Sequence, residues 1–213
     1  MELYSRLPAG AEPDIIARAV PPGVSILELG SGAGRVTHAL LRRGYRVVAV
    51  DESAEMLSRV KGARTVHSSI EELDLGERYD VVLLASHLLN TAEPDARDAM
   101  LTSCRRHVAT DGRVLVERQG ENWYEPREAP AGRERAGIGM RVVSVDRTAP
   151  GVSAVRIEYE VDGVRWTRSF HARDIPDAML ERVLSAAGLR LVRYLTADHS
   201  WVEAVPVPAP APV

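Results

Sequence analysis

An α/β fold built around a parallel sheet is predicted by three observations. From Val24 onward, short apolar runs alternate with stretches of helical period, the pattern of repeated strand-helix-strand units. The first run stops at an acid and opens into three glycines, ILELGSGAGR at residues 26–35. The chain is 213 residues long, enough for one well-buried domain and too short for two ordinary ones.

In order, the apolar runs predict strands at Val24–Leu29, Tyr45–Val50, Thr65–His67, Tyr79–Leu84 and Arg113–Glu117. Helices are expected between them, from about Gly34 to Arg43, Ser53 to Val60 and Pro94 to Val108. Ser53 suits a helix cap, Pro94 suits a first helical turn, and Asp111-Gly112 reads as a turn before the fifth strand. Beyond Trp123 the grammar changes. A loop rich in Pro, Gly and charge, EPREAPAGRERAGIG, precedes three predicted strands at Met140–Arg147, Ser153–Val161 and Val164–Phe170. Asp162-Gly163 is a tight hairpin signal between the last two, so the three should form an antiparallel meander. A helix at Pro176–Ala187, stopped by Gly188, then leads to strands at Leu189–Leu195 and Ser200–Val205.

Composition narrows the function classes. A net charge of −3 offers no overall attraction to nucleic acid or an anionic membrane, so neither is expected as a partner. No apolar run approaches bilayer length, and the first residues, MELYSRLPAG, lack the order of a signal sequence; a cytoplasmic location is expected. The single Cys104 makes no internal disulfide and no thiolate cluster, and its helical setting points to burial. The tail VPVPAPAPV has nothing to bury and is expected to be extended and disordered.

A strand feeding a glycine-rich turn and a helix exposes backbone N–H groups at a positive helix end, a place for a polar cofactor. The dinucleotide spacing G-x-G-x-x-G is not met, because Arg35 stands where the third glycine belongs and Gly34 comes one place early. The phosphate loop is also absent, since GSGAGRVT carries no Lys before its Thr. What the stretch resembles is the first motif of the class I S-adenosylmethionine-dependent methyltransferases: an acid, Glu28, then Gly30, Gly32 and Gly34. The resemblance continues along VVAVDESAEML, HSSIEEL and YDVVLLASHLL, and the closing strands match the family's reversed hairpin. It implies a Rossmann-like, doubly wound seven-stranded sheet with a terminal antiparallel hairpin, and leaves the three-stranded meander, about residues 125–172, as an insertion roofing the site of a single domain over residues 1–205.

The resemblance also implies S-adenosylmethionine as cofactor and S-adenosylhomocysteine as product. Asp51 would accept hydrogen bonds from the ribose hydroxyls, and Ser69 and Ile70 would flank the adenine. Glu28, Gly30, Ser31, Gly32, Gly34, Arg35, Glu52, Met56, Ala85 and Ser86 complete the expected cofactor set, with Tyr4 either folding over the cofactor or lying at the surface. The glycines would let the chain pass the cofactor without a Cβ collision. An ordinary strand-to-helix turn would account for the glycines alone, but not for Glu28 before them and Asp51 after the second strand.

The loop after the fourth predicted strand reads Ala85-Ser86-His87-Leu88, unlike the Asn-Pro-Pro-aromatic sequence of base-modifying members, and no acidic set for magnesium is present, so no metal is expected. A small-molecule substrate methylated on nitrogen or oxygen, in specialised metabolism, is the reading that remains. Methyl transfer draws most of its rate from alignment and exclusion of water, and a hydroxyl nucleophile gains from a base where a neutral amine does not. His87 is the candidate base, or else part of the pocket wall. Asn90, Glu117, Arg118, Asn122, Trp123 and Tyr124 follow the fourth and fifth predicted strands and are placed to meet substrate, with Arg168 and His171 in the roof. Trp123-Tyr124 reads equally as a hydrophobic latch, and Arg118 as a surface residue. The chain is expected to be a monomer, or a homodimer paired through the inserted strands. Two other functions fit the loop: a nicotinamide-dependent oxidoreductase, and a cofactor-binding assembly protein without turnover.

Overall fold

The computed structural model describes residues 9–120, 123–124, 131–135 (main chain only) and 138–208. The expectations for Tyr4, Asn122 and the tail beyond residue 208 lie outside these residues. In chain order the elements are α1 (Glu12–Ala19), β1 (Ser25–Leu29), α2 (Arg35–Arg42), β2 (Arg46–Asp51), α3 (Ala54–Leu57), β3 (Arg64–His67), β4 (Tyr79–Leu84), α4 (Pro94–His107), β5 (Val108–Glu117), β6 (Ala131–Arg135), β7 (Ile138–Ala149), β8 (Val152–Val161), β9 (Val164–Arg173), α5 (Asp177–Ala186), β10 (Leu189–Tyr194) and β11 (Trp201–Pro206). A 3₁₀ turn at Leu88–Asn90 separates β4 from α4.

Seven strands form one sheet in the order β10-β11-β5-β4-β1-β2-β3, with β11 antiparallel to β5 and to β10 and the other pairs parallel. This is the expected doubly wound sheet with its reversed hairpin. Strand apolarity explains it. Along β1, Ile26 packs on one face against Ile16 of α1 and Val36 and Leu40 of α2. Its neighbour Leu27 packs on the other, with Leu101 and Cys104 of α4 and Leu180 and Leu184 of α5. Parallel strands covered on both faces read as continuous apolar runs, which is why they were legible. Cys104 is fully buried, and burial pushes its thiol up to about 12.

Three boundaries moved. The α1 helix was not foreseen; Pro13 in its first turn, Glu12 and Asp14 there and Arg18 in its last turn are its signals. Asp111-Gly112 is not a free turn: β5 begins at Val108, directly after α4, and these residues fall in a shift of register against β4 between Tyr79 and Val81. The helix after β2 is one turn, capped by the Ser53 hydroxyl, which accepts from the Met56 N–H at 3.3 Å.

The insertion forms a second antiparallel sheet, in the order β6-β7-β8-β9. It contains the expected meander and one strand more: β6 lies in the segment read as loop and pairs with β7 from Ala131↔Val142 to Arg135↔Ile138. The β8–β9 hairpin turns at Asp162 and Gly163, with φ of 50° and 76°, the two positive values a two-residue turn of this kind needs. Among the described residues one isolated bridge pairs Ala172 of β9 with Thr91, in the loop between the 3₁₀ turn and α4. No helix of the described residues is long and apolar enough to cross a membrane.

Candidate functional site

Strand order reverses between β1 and β4, so the loops leaving their carboxyl ends diverge and open a crevice. The first of these loops is the glycine turn. Its backbone is left-handed at Gly30, Gly32 and Gly34, with φ of 70°, 55° and 83°. Their reasons differ. A Cβ at Gly30 would meet Leu88 Cδ1 at 2.6 Å, and one at Gly34 would meet His38 Cε1 at 2.9 Å and Val60 Cγ2 at 3.1 Å. At Gly32 a Cβ would meet nothing within 4 Å. Gly30 and Gly34 thus make way for the protein's own side chains, and Gly32 borders open space.

The loop is held by carboxylates. Asp51, at the end of β2, accepts from the Gly32 N–H at 2.7 Å and from the Ser53 N–H at 2.9 Å. Each oxygen keeps lone pairs beyond those bonds. Glu28 lies buried beneath the loop and accepts from the Thr37 hydroxyl at 2.6 Å; burial pushes its carboxyl up to about 7, against the opposing effect of that bond. Ser31 is buried, and its N–H reaches Val50 O at 2.9 Å. Arg35, first residue of α2, pairs with Glu12 of α1 at 2.5 Å. Glu52 is exposed, Met56 half-buried, Ile70 buried beside Leu73, and Ser69 accepts from the Glu72 N–H at 3.3 Å.

The loop after β4 holds the second set. Ala85 is buried, and Ser86 and His87 take left-handed φ of 58° and 57°, which costs two non-glycine residues strain. The turn aims the Ser86 N–H at Glu117 Oε2, 2.6 Å away, and brings His87 Nε2 to 3.8 Å from Glu117 Oε1. Glu117 ends β5 with its side chain 10 % exposed; burial raises its carboxyl pKa, and the nearby His87 opposes the rise. His87 Nδ1 is buried without a hydrogen-bond partner among the described residues.

A cavity of about 550 Å³ lies between this edge and the second sheet. Its floor includes Glu12, Arg35, Ser86, His87, Leu88 and Glu117, and its roof Ile138, Met140, Ile157, Tyr159 and Phe170. The roof residues share one face because paired strands keep side chains in phase: Met140 faces Tyr159 and Val155 faces Phe170. Asn90 lines the cavity, donating to Arg173 O at 2.9 Å and accepting from the Gln119 N–H at 2.8 Å, so it fastens roof to floor. Trp123 and Tyr124 pack as the latch reading expects, and their place at the cavity leaves the substrate reading open. They border the cavity, and they stand edge to face at 4.8 Å with Tyr124 buried against Val142, Val155 and Ile157. Arg168 and His171 also border it, both exposed.

Arg118 corrects both readings of it. It is neither at the surface nor among the cavity's lining; it is 1 % exposed and donates to His199 O at 2.9 Å, to Ile175 O and to Asp177. Its work is to tie β5 to α5 and the final hairpin. The other histidines sit in similar bonds: His38 Nε2 accepts from the Lys61 N–H at 3.0 Å, His107 Nδ1 bonds Ser103 O at 2.8 Å, and His199 Nδ1 meets Asp177 at 2.9 Å. The contributions of Glu12 and of the roof's apolar face went unforeseen. Proline and acids in the first turn signalled α1, and strict alternation in VRIEYEV signalled the roof's inner face. Among the described residues no cluster of His, Cys, Asp and Glu is placed to hold a metal.

Comparisons with known proteins find methyltransferases. Residues 26–112 match the family model for a methyltransferase domain. A ubiquinone biosynthesis O-methyltransferase of Bradyrhizobium sp. (strain ORS 278) is 31% identical over 109 residues, covering 47% of this chain and 42% of that protein. The cypemycin N-terminal methyltransferase of Streptomyces sp is 27% identical over 159 residues, 70% of this chain and 64% of that one. The matches thus span less than two thirds of these relatives' own length. In three dimensions the CcbJ methyltransferase of Streptomyces caelestis superposes with a TM-score of 0.77 at 18% identity, covering 97% of this chain and 96% of the other.

Proposed function

Taking as premise that the chain belongs to the class I S-adenosylmethionine-dependent methyltransferases, we propose that it methylates nitrogen or oxygen of a small metabolite. The observation that carries this reading is the cavity itself: Leu88 closes on Gly30 of the glycine loop and also lines the cavity, so a donor on the loop and an acceptor under the roof would be neighbours. S-adenosylmethionine fits the donor side. It has no phosphate and needs close backbone approach more than positive charge, which the open space beside Gly32 allows. When bound, it supplies a methyl group already activated by a sulfonium.

The chain's own residues would do the rest. Asp51, anchored by two backbone N–H groups, has lone pairs left for the ribose hydroxyls. Ser69 and Ile70 would border the adenine, while Glu28 and Thr37 hold the loop from beneath. The apolar roof would exclude water and align the acceptor, the main source of rate in an in-line displacement. His87, 3.8 Å from Glu117, would take a proton from the acceptor. The curated relatives include both an O-methyltransferase and an N-terminal methyltransferase, so their names leave the acceptor atom open.

Two measurements test the reading. Calorimetric titration should show S-adenosylhomocysteine binding and no NAD binding; binding of NAD alone would overturn it. Incubation with labelled S-adenosylmethionine and a panel of small amines, phenols and carboxylates should add one methyl mass to an acceptor. Cofactor binding without transfer to any of them would favour an assembly role instead.

A further inference from the structure

We infer that Glu117 selects the substrate's nucleophile: with His87 it forms an ammonium-binding pair on the cavity floor, so the acceptor is a small primary or secondary amine on an apolar scaffold. This deepens the proposed function and rests on it.

Glu117 is a sparsely compensated carboxylate. Glu117 is nine-tenths buried and borders the cavity, and an isolated carboxylate in such a place is costly unless a charge or several donors meet it. It has one strong donor, the Ser86 N–H at 2.6 Å on Oε2. Its other oxygen faces His87 Nε2 at 3.8 Å, beyond hydrogen-bond length. Among the described residues His87 is the one basic side chain within ion-pair distance of it. The neighbouring cations are engaged elsewhere: Arg118 with Asp177 and two carbonyls, and Arg35 with Glu12. The charged and titratable groups near Glu117 are therefore Glu12, Arg35 and His87, so that with Glu117 itself two carboxylates stand against one guanidinium and one imidazole. The roof's cation, Arg168, lies over the Phe170 ring with its guanidinium carbon 5.2 Å from the centroid.

A hydroxyl nucleophile would arrive neutral and leave that negative charge unanswered. An ammonium would bring one positive charge and three donors from a primary amine or two from a secondary one, enough for Glu117 Oε1 and His87 together. The pair then has a second use, because an ammonium has no lone pair with which to attack. One N–H bond breaks, its electron pair stays on nitrogen, and the proton passes to the His87 imidazole; nothing is oxidised or reduced. The His87 side chain is 38 % exposed, a route by which the proton returns to solvent. Glu117 stabilises the imidazolium meanwhile. The scaffold follows from the roof, where Ile138, Met140, Ile157 and Phe170 offer no hydrogen bonds and suit a hydrocarbon or aromatic face.

The test uses the full chain saturated with S-adenosylhomocysteine and two probes that differ only in the group of interest, benzylamine and benzyl alcohol, followed by calorimetry. Benzylamine should bind at least about tenfold tighter, as expected for a charge-assisted bond in a buried site. Glu117→Gln keeps the acceptor for the Ser86 N–H; it should erase the preference while leaving affinity for benzyl alcohol and S-adenosylhomocysteine unchanged. Equal binding of the two probes by the wild type, no binding of benzylamine, or a preference that survives Glu117→Gln would each overturn the inference. Failure of S-adenosylhomocysteine to bind would instead sink the methyltransferase reading, so the two failures are distinguishable.

Discussion

The two sheets of this molecule are built on opposite rules. The seven-stranded sheet is covered on both faces, and in β1 and β4 nearly every residue is buried. The four-stranded roof buries one face, so β8 alternates from Ser153 to Val155 to Ile157 buried, with Arg156 exposed between them. The difference separates two tasks. A sheet packed on both sides fixes loop ends to a fraction of an ångström, as a donor site requires. A sheet packed on one side keeps an inner face whose residues can change with little effect on the rest of the fold.

The largest expected effect comes from breaking the clasp that ties β5 to α5 and the final hairpin, where the roof's strands leave and rejoin the platform. Arg118→Met removes a buried guanidinium and leaves Ile175 O, His199 O and the Asp177 carboxylate short of a donor, so denaturant titration should show a loss of roughly 3–5 kcal/mol. A loss under about 1 kcal/mol would mean that the joint is held by packing alone. Next comes the contrast between the sheets. Leu83→Ala, at a side chain with no exposure, should cost about 3–5 kcal/mol, whereas Ile157→Ala on the cavity-facing roof should cost about 2 kcal/mol, because a residue bordering a cavity has fewer neighbours to lose. Equal costs would erase the distinction drawn between platform and roof. The smallest effect on stability, with a large one on binding, is expected within the glycine loop. Gly32→Ala should cost about 1–2 kcal/mol for a left-handed alanine with no clash and weaken S-adenosylhomocysteine binding in calorimetry. Gly30→Ala should cost more, since its Cβ meets Leu88. Unimpaired binding in Gly32→Ala would mean that the open space there is not used.

What the sequence revealed follows the same division. The platform was legible because burial on both faces leaves long apolar runs, and because Glu28, the glycines and Asp51 mark loop ends by residue type. The strand β6 was not legible: AGRER has no strand propensity, and it is strand only because β7 offers it an edge. Arg118 was misread because charge in a sequence signals the surface, and nothing local reveals that three acceptors from residues 175, 177 and 199 converge on it. Glu117 was named with its neighbours as able to meet substrate, but its pairing with His87 depends on two left-handed residues that sequence does not announce. Glu12 needed α1 to be recognised first.

Arg118 also has an evolutionary consequence. The inserted segment leaves the platform just after residue 118 and returns at residue 175, and one guanidinium clasps those two points together by bonding Ile175 O and Asp177. The ends of whatever lies between are thus docked in a socket that belongs to the platform. Closing a longer or shorter excursion there changes the entropic cost only logarithmically with length. The platform can therefore keep its glycine loop while the intervening segment is exchanged wholesale, so that the roof of the cavity would diversify by replacement of a cassette rather than by point substitution.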